Sequence, residues 1–221
     1  RPWHHLAWLL GGLLVFRPLR TRLGLDRCRL PVTGAAPISP ELLAWFHGIG
    51  VPIVEGYGMT EDGGVSHVNP PARVRLGSVG RPLPGVDCRL AADGEILVRG
   101  AIVFSGYLHQ PEATQEAVDE EGWLHTGDIG RIDDEFLTIT GRKKEIIVTA
   151  GGKNLSPEKI ENELKTSPYI KEAVSIGDAR KFVSALVQLD LDAVGAWASR
   201  RGLPYTSYAD LAAKPEVVKL V

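Results

Sequence analysis

The pattern of apolar and polar positions changes texture twice along this chain. The opening run Leu6-Ala-Trp-Leu-Leu-Gly-Gly-Leu-Leu-Val-Phe16 is almost continuously apolar. At eleven residues it is shorter than the roughly twenty that a transmembrane helix needs. Arg17-Pro-Leu-Arg20 follows it instead of a small-residue cleavage site, so a buried or surface-seated helix is expected rather than a span or a leader. Next, residues 30–33 read as a short strand ending at Gly34-Ala-Ala-Pro37. Ser39 is placed to cap a helix with Pro40 at its first position and Leu42, Leu43 and Phe46 on one face, closing near Gly48. The β-branched run at 51–54 is the next strand. Strand, helix and strand in so short a span predict a parallel βαβ unit, in which ligands sit beyond the carboxyl ends of the strands, where Gly34 and Gly56 fall.

From Gly77 to Gly141 the runs shorten to 86–90, 96–99 and 136–140, with Gly and Pro between them. That texture predicts a small barrel or sandwich, with only 111–119 helical. Arg142-Lys-Lys-Glu145 reads as a domain boundary. Beyond it the pattern is α/β again. Ser156 caps a helix bearing Ile160 and Leu164, with Glu161 spaced to pair with Lys165; strands follow at 173–176 and 182–189. A helix at 191–201 turns Val194, Trp197 and Ala198 inward and stops at Gly202. The fold class expected is α/β: part of a large α/β domain with a parallel sheet (1–75), a β-rich subdomain (76–141) and the start of a small α/β domain (142–221).

Composition narrows the field. With 221 residues, 44% hydrophobic and 24% charged, the chain is an ordinary globular sequence. A net charge of −2 provides no basic field for nucleic acid. Cys28 and Cys88 stand alone, as expected of free thiols in a reducing compartment such as the cytoplasm, and the six histidines form no HExxH zinc pattern. Peripheral seating of the apolar opening on a membrane stays open.

The chemistry concentrates in Val51-Pro-Ile-Val-Glu-Gly-Tyr-Gly-Met-Thr-Glu61. Gly56 and Gly58 let the backbone approach a ligand, Tyr57 offers a flat face to a nucleobase, Thr60 a hydroxyl to a phosphate oxygen and Glu61 a hard oxygen to Mg²⁺. Alone, the stretch equally fits any strand that ends in an exposed turn. It has company, however: Thr33-Gly-Ala-Ala-Pro37 upstream, and downstream Gly94-Glu-Ile-Leu-Val-Arg-Gly100, Gly122-Trp-Leu-His-Thr-Gly-Asp128 and Gly141-Arg-Lys-Lys-Glu-Ile-Ile147. In that order the set resembles the adenylate-forming (AMP-binding) superfamily. Gly151-Gly-Lys-Asn-Leu-Ser-Pro-Glu-Lys-Ile-Glu161 looks most like its bacterial long-chain fatty acid–CoA ligases.

The resemblance implies carboxylate plus ATP giving an acyl-adenylate and pyrophosphate, then thioester formation with CoA. It places Gly34, Ala35, Glu55, Gly56, Tyr57 and Gly58 around AMP, with Tyr57 packed on adenine. Thr60 falls on phosphate, Glu61 on Mg²⁺, Asp128 on the ribose diol and Arg142 on ribose or phosphate oxygens. Lys144 matches the hinge about which the small domain turns, and Gly151 and Gly152 line the pantetheine path. Read without the resemblance, Asp128 is a turn residue after glycine, Arg142 a solvated cation and Gly151-Gly152 a tight turn. A Walker A loop around Gly152-Lys153 fails, because Ile147 holds the position of its first glycine and Asn154 that of its Ser/Thr.

Two of the superfamily's parts, the Ser/Thr/Gly-rich phosphate loop and the lysine near the carboxy end, have no counterpart here, and the chain begins with Arg. The expectation is a piece of a fatty acid–CoA ligase, poor at adenylation alone. The rivals are an acyl-AMP ligase serving an acyl carrier protein, against which the Gly-Gly-Lys-Asn stretch speaks, and a non-catalytic nucleotide- or acyl-binding module.

Overall fold

A computed structural model describes residues 10–221, which divide into two compact units, one running to Ile139 and the other from Thr140 to Val221. The apolar opening lies partly outside the described residues. Its described part is a π-helical turn, Gly12–Phe16, running into helix α1 (Arg17–Arg22), and neither buries a residue. Among the described residues no helix is long and apolar enough to cross a membrane.

In the first unit, strand β1 (Val32–Thr33), helix α2 (Pro40–Gly48) and strand β2 (Val54–Tyr57) form the expected parallel βαβ unit, with Val32 opposite Val54 and Thr33 opposite Glu55. The Ser39 hydroxyl accepts the Leu42 amide at 3.1 Å, and Leu43 is the helix's buried anchor, whereas Leu42 is exposed. The strand expected at 51–54 instead starts at Val54. The Val51 amide closes the end of α2 by donating to the Phe46 carbonyl at 2.9 Å, and Pro52 has no amide to give. Ladder bonding therefore begins at Val54, whose amide donates to the Pro31 carbonyl at 3.0 Å, and it carries the strand through Gly56 to Tyr57. Strands β3 (His67–Val68) and β4 (Arg81–Pro82) add antiparallel beyond β2.

The expected barrel or sandwich is a four-stranded sheet in the order β5 (Val86–Leu90), β6 (Glu95–Gly100), β7 (Leu124–Asp133), β8 (Phe136–Arg142), with helix α3 (Pro111–Ala117) between β6 and β7. Its inward Val86, Ile96, Val98 and Leu137 pack with Tyr57 from β2, so both sheets share one core. Each such side chain contributes roughly 1.5 to 3 kcal/mol by leaving water. Strand β7 escapes the sequence pattern because Gly127 and Gly130 interrupt it, yet Leu124, Thr126 and Asp128 alternate inward as a strand requires. Its start is pinned by Trp123, held between the Arg89 and Arg99 guanidinium groups at 4.3 and 4.4 Å from the ring centre.

In the second unit, β9 (Ile147–Val148) and β10 (Asn154–Leu155) form a hairpin with Gly151 and Gly152 at its tip. Helix α4 (Pro157–Leu164) begins at the Ser156 cap as expected. Glu161 does not pair with Lys165: its carboxylate accepts the Ser175 amide at 2.7 Å, and Lys165 instead reaches Glu172 at 3.7 Å. A backbone donor on the strand that α4 packs against outcompetes a solvated lysine. Strands β11 (Ile170–Ile176) and β12 (Ser184–Leu189) pair antiparallel. Helix α5 (Leu191–Arg200) is capped by Asp190 and turns Val194, Trp197 and Ala198 into a core closed by Leu211 of α6 (Tyr208–Ala212) and Val217 of α7 (Pro215–Val218).

Candidate active site

Strand β2 empties into a knot that fixes Thr60 and Glu61 at the strand's end. Residues Thr60–Asp62 make one 3-10 turn, and the fully buried Asp62 accepts the Met59 amide at 2.7 Å across it. The Gly64 amide closes the same loop on the Met59 carbonyl at 2.8 Å. A Cβ at Gly58 would sit 2.6 Å from the Gly64 backbone, so only glycine permits the crossing. Thr60 is left exposed and Glu61 half-buried, with the Tyr107 hydroxyl donating to Glu61 Oε1 at 2.6 Å. At the end of β1, Gly34 lies against β2 so closely that a Cβ would meet the Gly56 carbonyl at 2.9 Å, and Ala35 takes a left-handed φ of 67°. Gly34, Ala35, Gly56 and Gly58 thus gather where two parallel strands end, the usual ligand edge of such a sheet.

Asp128 joins this edge from β7. Its Oδ2 accepts the Tyr57 hydroxyl at 2.7 Å, a bond across 71 residues of sequence. Asp128 is 6% exposed and Tyr57 8%, so Tyr57 meets the site mainly through that hydroxyl while its ring sits in the shared core. Burial, and after it the Asp128 charge, pushes the Tyr57 phenol well above its usual range. Behind Asp128, the buried Glu95 accepts the Gly127 amide at 3.0 Å, which fixes the backbone that presents the aspartate.

Beneath the edge lie two buried groups. Glu55, whose Oε2 has no partner among the described residues, is pushed up to about 7 by burial, against a smaller opposing pull from the Gly77 amide. His67 on β3 meets Ser66 Oγ at 3.0 Å through Nδ1, has no partner for Nε2 among the described residues, and is held down at about 4 by burial. Sequence reasoning missed Asp62, His67, Glu95 and Tyr107. Glu95 stood inside a motif already noticed and Asp62 one residue beyond another, whereas nothing in the residues around Tyr107 points 46 positions back to Glu61.

The remaining candidates belong to the second unit. Arg142 is exposed, 3.9 Å from Glu145; Lys144 lies in the turn that follows, which the Glu145 and Ile146 amides close on the Arg142 carbonyl. A Cβ on Gly151 or Gly152 would meet nothing within 4 Å, so the hairpin tip is open to an extended ligand. Among the described residues no three His, Cys, Asp or Glu cluster to hold a metal ion. A single carboxylate such as Glu61 would hold Mg²⁺ only together with oxygens from outside the protein, a mixed set of ligands that this ion accepts.

The AMP-binding enzyme family matches residues 14–108, and the AMP-binding enzyme C-terminal domain matches residues 144–199. This chain belongs to the AMP-binding enzyme family. Similar curated proteins include the long-chain-fatty-acid–CoA ligase FadD15 of Mycobacterium bovis, 46% identical over 93% of this chain and 34% of that protein. The putative fatty-acid–CoA ligase fadD11 of Mycobacterium tuberculosis is 47% identical over 96% of this chain and 37% of its own length. The chain thus spans about a third of the relatives it matches. Among solved structures, the Bacillus subtilis o-succinylbenzoate CoA synthetase MenE, in complex with the acyl-adenylate intermediate OSB-AMP, is similar with a TM-score of 0.69 at 27% identity. That likeness covers 86% of this chain and 43% of MenE, and the solved relatives are adenylate-forming enzymes of the same α/β organisation.

Proposed function

We propose that this chain is the nucleotide-edge portion of a ligase that activates a long-chain fatty acid with ATP and passes the acyl group to CoA. The observation that carries the reading is the Tyr57–Asp128 hydrogen bond. It joins the acid of the Thr-Gly-Asp motif to the same strand end that holds out Thr60 and Glu61. In this reading the fatty acid carboxylate attacks the α-phosphorus of ATP and pyrophosphate leaves. Thr60 donates its hydroxyl to a phosphate oxygen, and Asp128 accepts from the ribose hydroxyls, sharing its carboxylate with Tyr57. Glu61 holds Mg²⁺, which when bound neutralises charge developing on the departing phosphates. Arg142 donates to ribose or phosphate oxygens, Lys144 is the hinge and the open tip at Gly151-Gly152 flanks the pantetheine arm in the second half-reaction. The domain limits expected from sequence, 1–75, 76–141 and 142–221, are retained as part of this proposal.

The test is ATP–pyrophosphate exchange by a full-length ligase carrying this sequence, across a series of fatty acids, followed by single-turnover transfer to CoA or to acyl carrier protein. Exchange that depends on a long-chain acid, with transfer to CoA, supports the reading. Transfer to carrier protein alone makes it an acyl-AMP ligase, and no exchange with any acid overturns it.

A further inference from the structure

We propose that Tyr107 is a positioning residue for Glu61, holding one carboxylate oxygen so that the other takes the cation; the inference rests on the reading of Glu61 as the Mg²⁺ ligand. A carboxylate only accepts, so the 2.6 Å contact has the phenol donating to Oε1. Among the described residues Oε2 has no hydrogen-bond partner. The contact belongs to a built clamp. The loop after β6 returns to the Thr60–Asp62 turn twice, once through the Phe104 amide donating to the Glu61 carbonyl at 2.8 Å and once through the phenol itself. Phe104 and Tyr107 stack edge to face with ring centres 4.8 Å apart, so the two contacts form one unit.

Tyr107 is in turn fixed from behind. Its amide donates to Thr114 Oγ1 at 2.9 Å, and that hydroxyl donates to the Gln110 carbonyl at 2.8 Å. Gly106, at φ 138°, brings the loop so near Thr114 that a Cβ would lie 2.6 Å from its Cγ2. A half-buried glutamate otherwise samples several rotamers, and ordering it when the cation arrives weakens capture. A hydroxyl that holds one oxygen pre-organises the other, as partners of metal-ligating groups do.

The test uses the full-length ligase as wild type, Tyr107→Phe and Glu61→Gln. The phenylalanine keeps the ring and its contact with Phe104 at a site 38% exposed, so the fold is retained. Mn²⁺ binding in the presence of a non-hydrolysable ATP analogue, read by electron paramagnetic resonance, should weaken about tenfold in Tyr107→Phe. The Mg²⁺ concentration for half-maximal pyrophosphate exchange should rise by the same factor, with the rate recovering at saturating Mg²⁺. A merely structural role would depress the rate at every Mg²⁺ concentration and leave Mn²⁺ affinity unmoved; that result overturns the inference. If Glu61→Gln loses the cation while Tyr107→Phe binds it as wild type does, Glu61 stands and only Tyr107 falls. If Glu61→Gln binds it as well as wild type, the reading of Glu61 falls and this inference with it.

Discussion

Replacing Glu55 by Gln should expose a pH dependence of the β2–β3 region, set by His67, that Glu55 offsets in the wild-type chain. Glu55 is raised from 4.5 to about 7, so the folded state holds its proton more tightly than the unfolded chain. Its contribution to stability is full below pH 4.5 and is lost as pH rises through 7. His67 is lowered from 6.5 to about 4, so its contribution is full above pH 6.5 and is lost as pH falls through 4. At 1.36 kcal/mol per pH unit each amounts to about 3 kcal/mol. Between pH 4.5 and 6.5 the two nearly cancel: the folded pair carries one proton on Glu55, and the unfolded pair carries one on His67. Glu55→Gln keeps the side chain's shape and removes one partner, leaving stability to climb by about 3 kcal/mol from pH 4 to 6.5. Urea unfolding at a series of pH values, with the 54–68 region followed by pulse-labelling mass spectrometry at a fixed labelling pH, isolates this region from the second unit. Subtracting the wild-type profile removes every other carboxylate. Parallel profiles for wild type and Glu55→Gln over pH 4.5–6.5 would refute the reasoning.

Two further predictions follow from the site. Asp128→Ala removes an acceptor from a ribose diol at roughly 1.5 to 3 kcal/mol per bond, so ATP affinity should weaken at least about tenfold in the full-length ligase. Asp128→Asn, which still accepts from Tyr57, should separate that loss from the cost of stranding the phenol. Equal discrimination between ATP and its 2′,3′-dideoxy form by wild type and Asp128→Ala would remove the ribose assignment. Lys144→Pro forces Lys143 out of the helical region that the Arg142 turn uses, so the half-reaction that employs this turn should slow far more than the other in single-turnover assays. Equal slowing of both steps, with the fold intact, would place the hinge elsewhere.

What the sequence made legible was local. Ser39 and Ser156 ahead of proline mark two helix starts because a cap needs only neighbouring residues, and the 3.6-residue spacing of Val194, Trp197 and Ala198 marks a buried face for the same reason. The motif residues were legible by resemblance. What stayed hidden is set by long-range pairing. The β2 start depends on where the Val51 amide goes, and strand β7 is disguised by two glycines. The links that assemble the edge, Tyr57 to Asp128 and Tyr107 to Glu61, join segments with no shared periodicity. Buried His67 and Asp62 carried no sequence sign either, since burial of a polar side chain is decided by the packing around it.

The most direct test of the account is Glu61→Gln in the full-length ligase, assayed for fatty-acid-dependent ATP–pyrophosphate exchange at fixed Mg²⁺. The substitution keeps the shape and an acceptor for the Tyr107 hydroxyl while removing the charge that holds the cation. The account predicts a folded enzyme whose exchange falls at least about a hundredfold, the scale on which loss of one electrostatic contact to the transition state is felt. Near-normal exchange by the folded variant would contradict it.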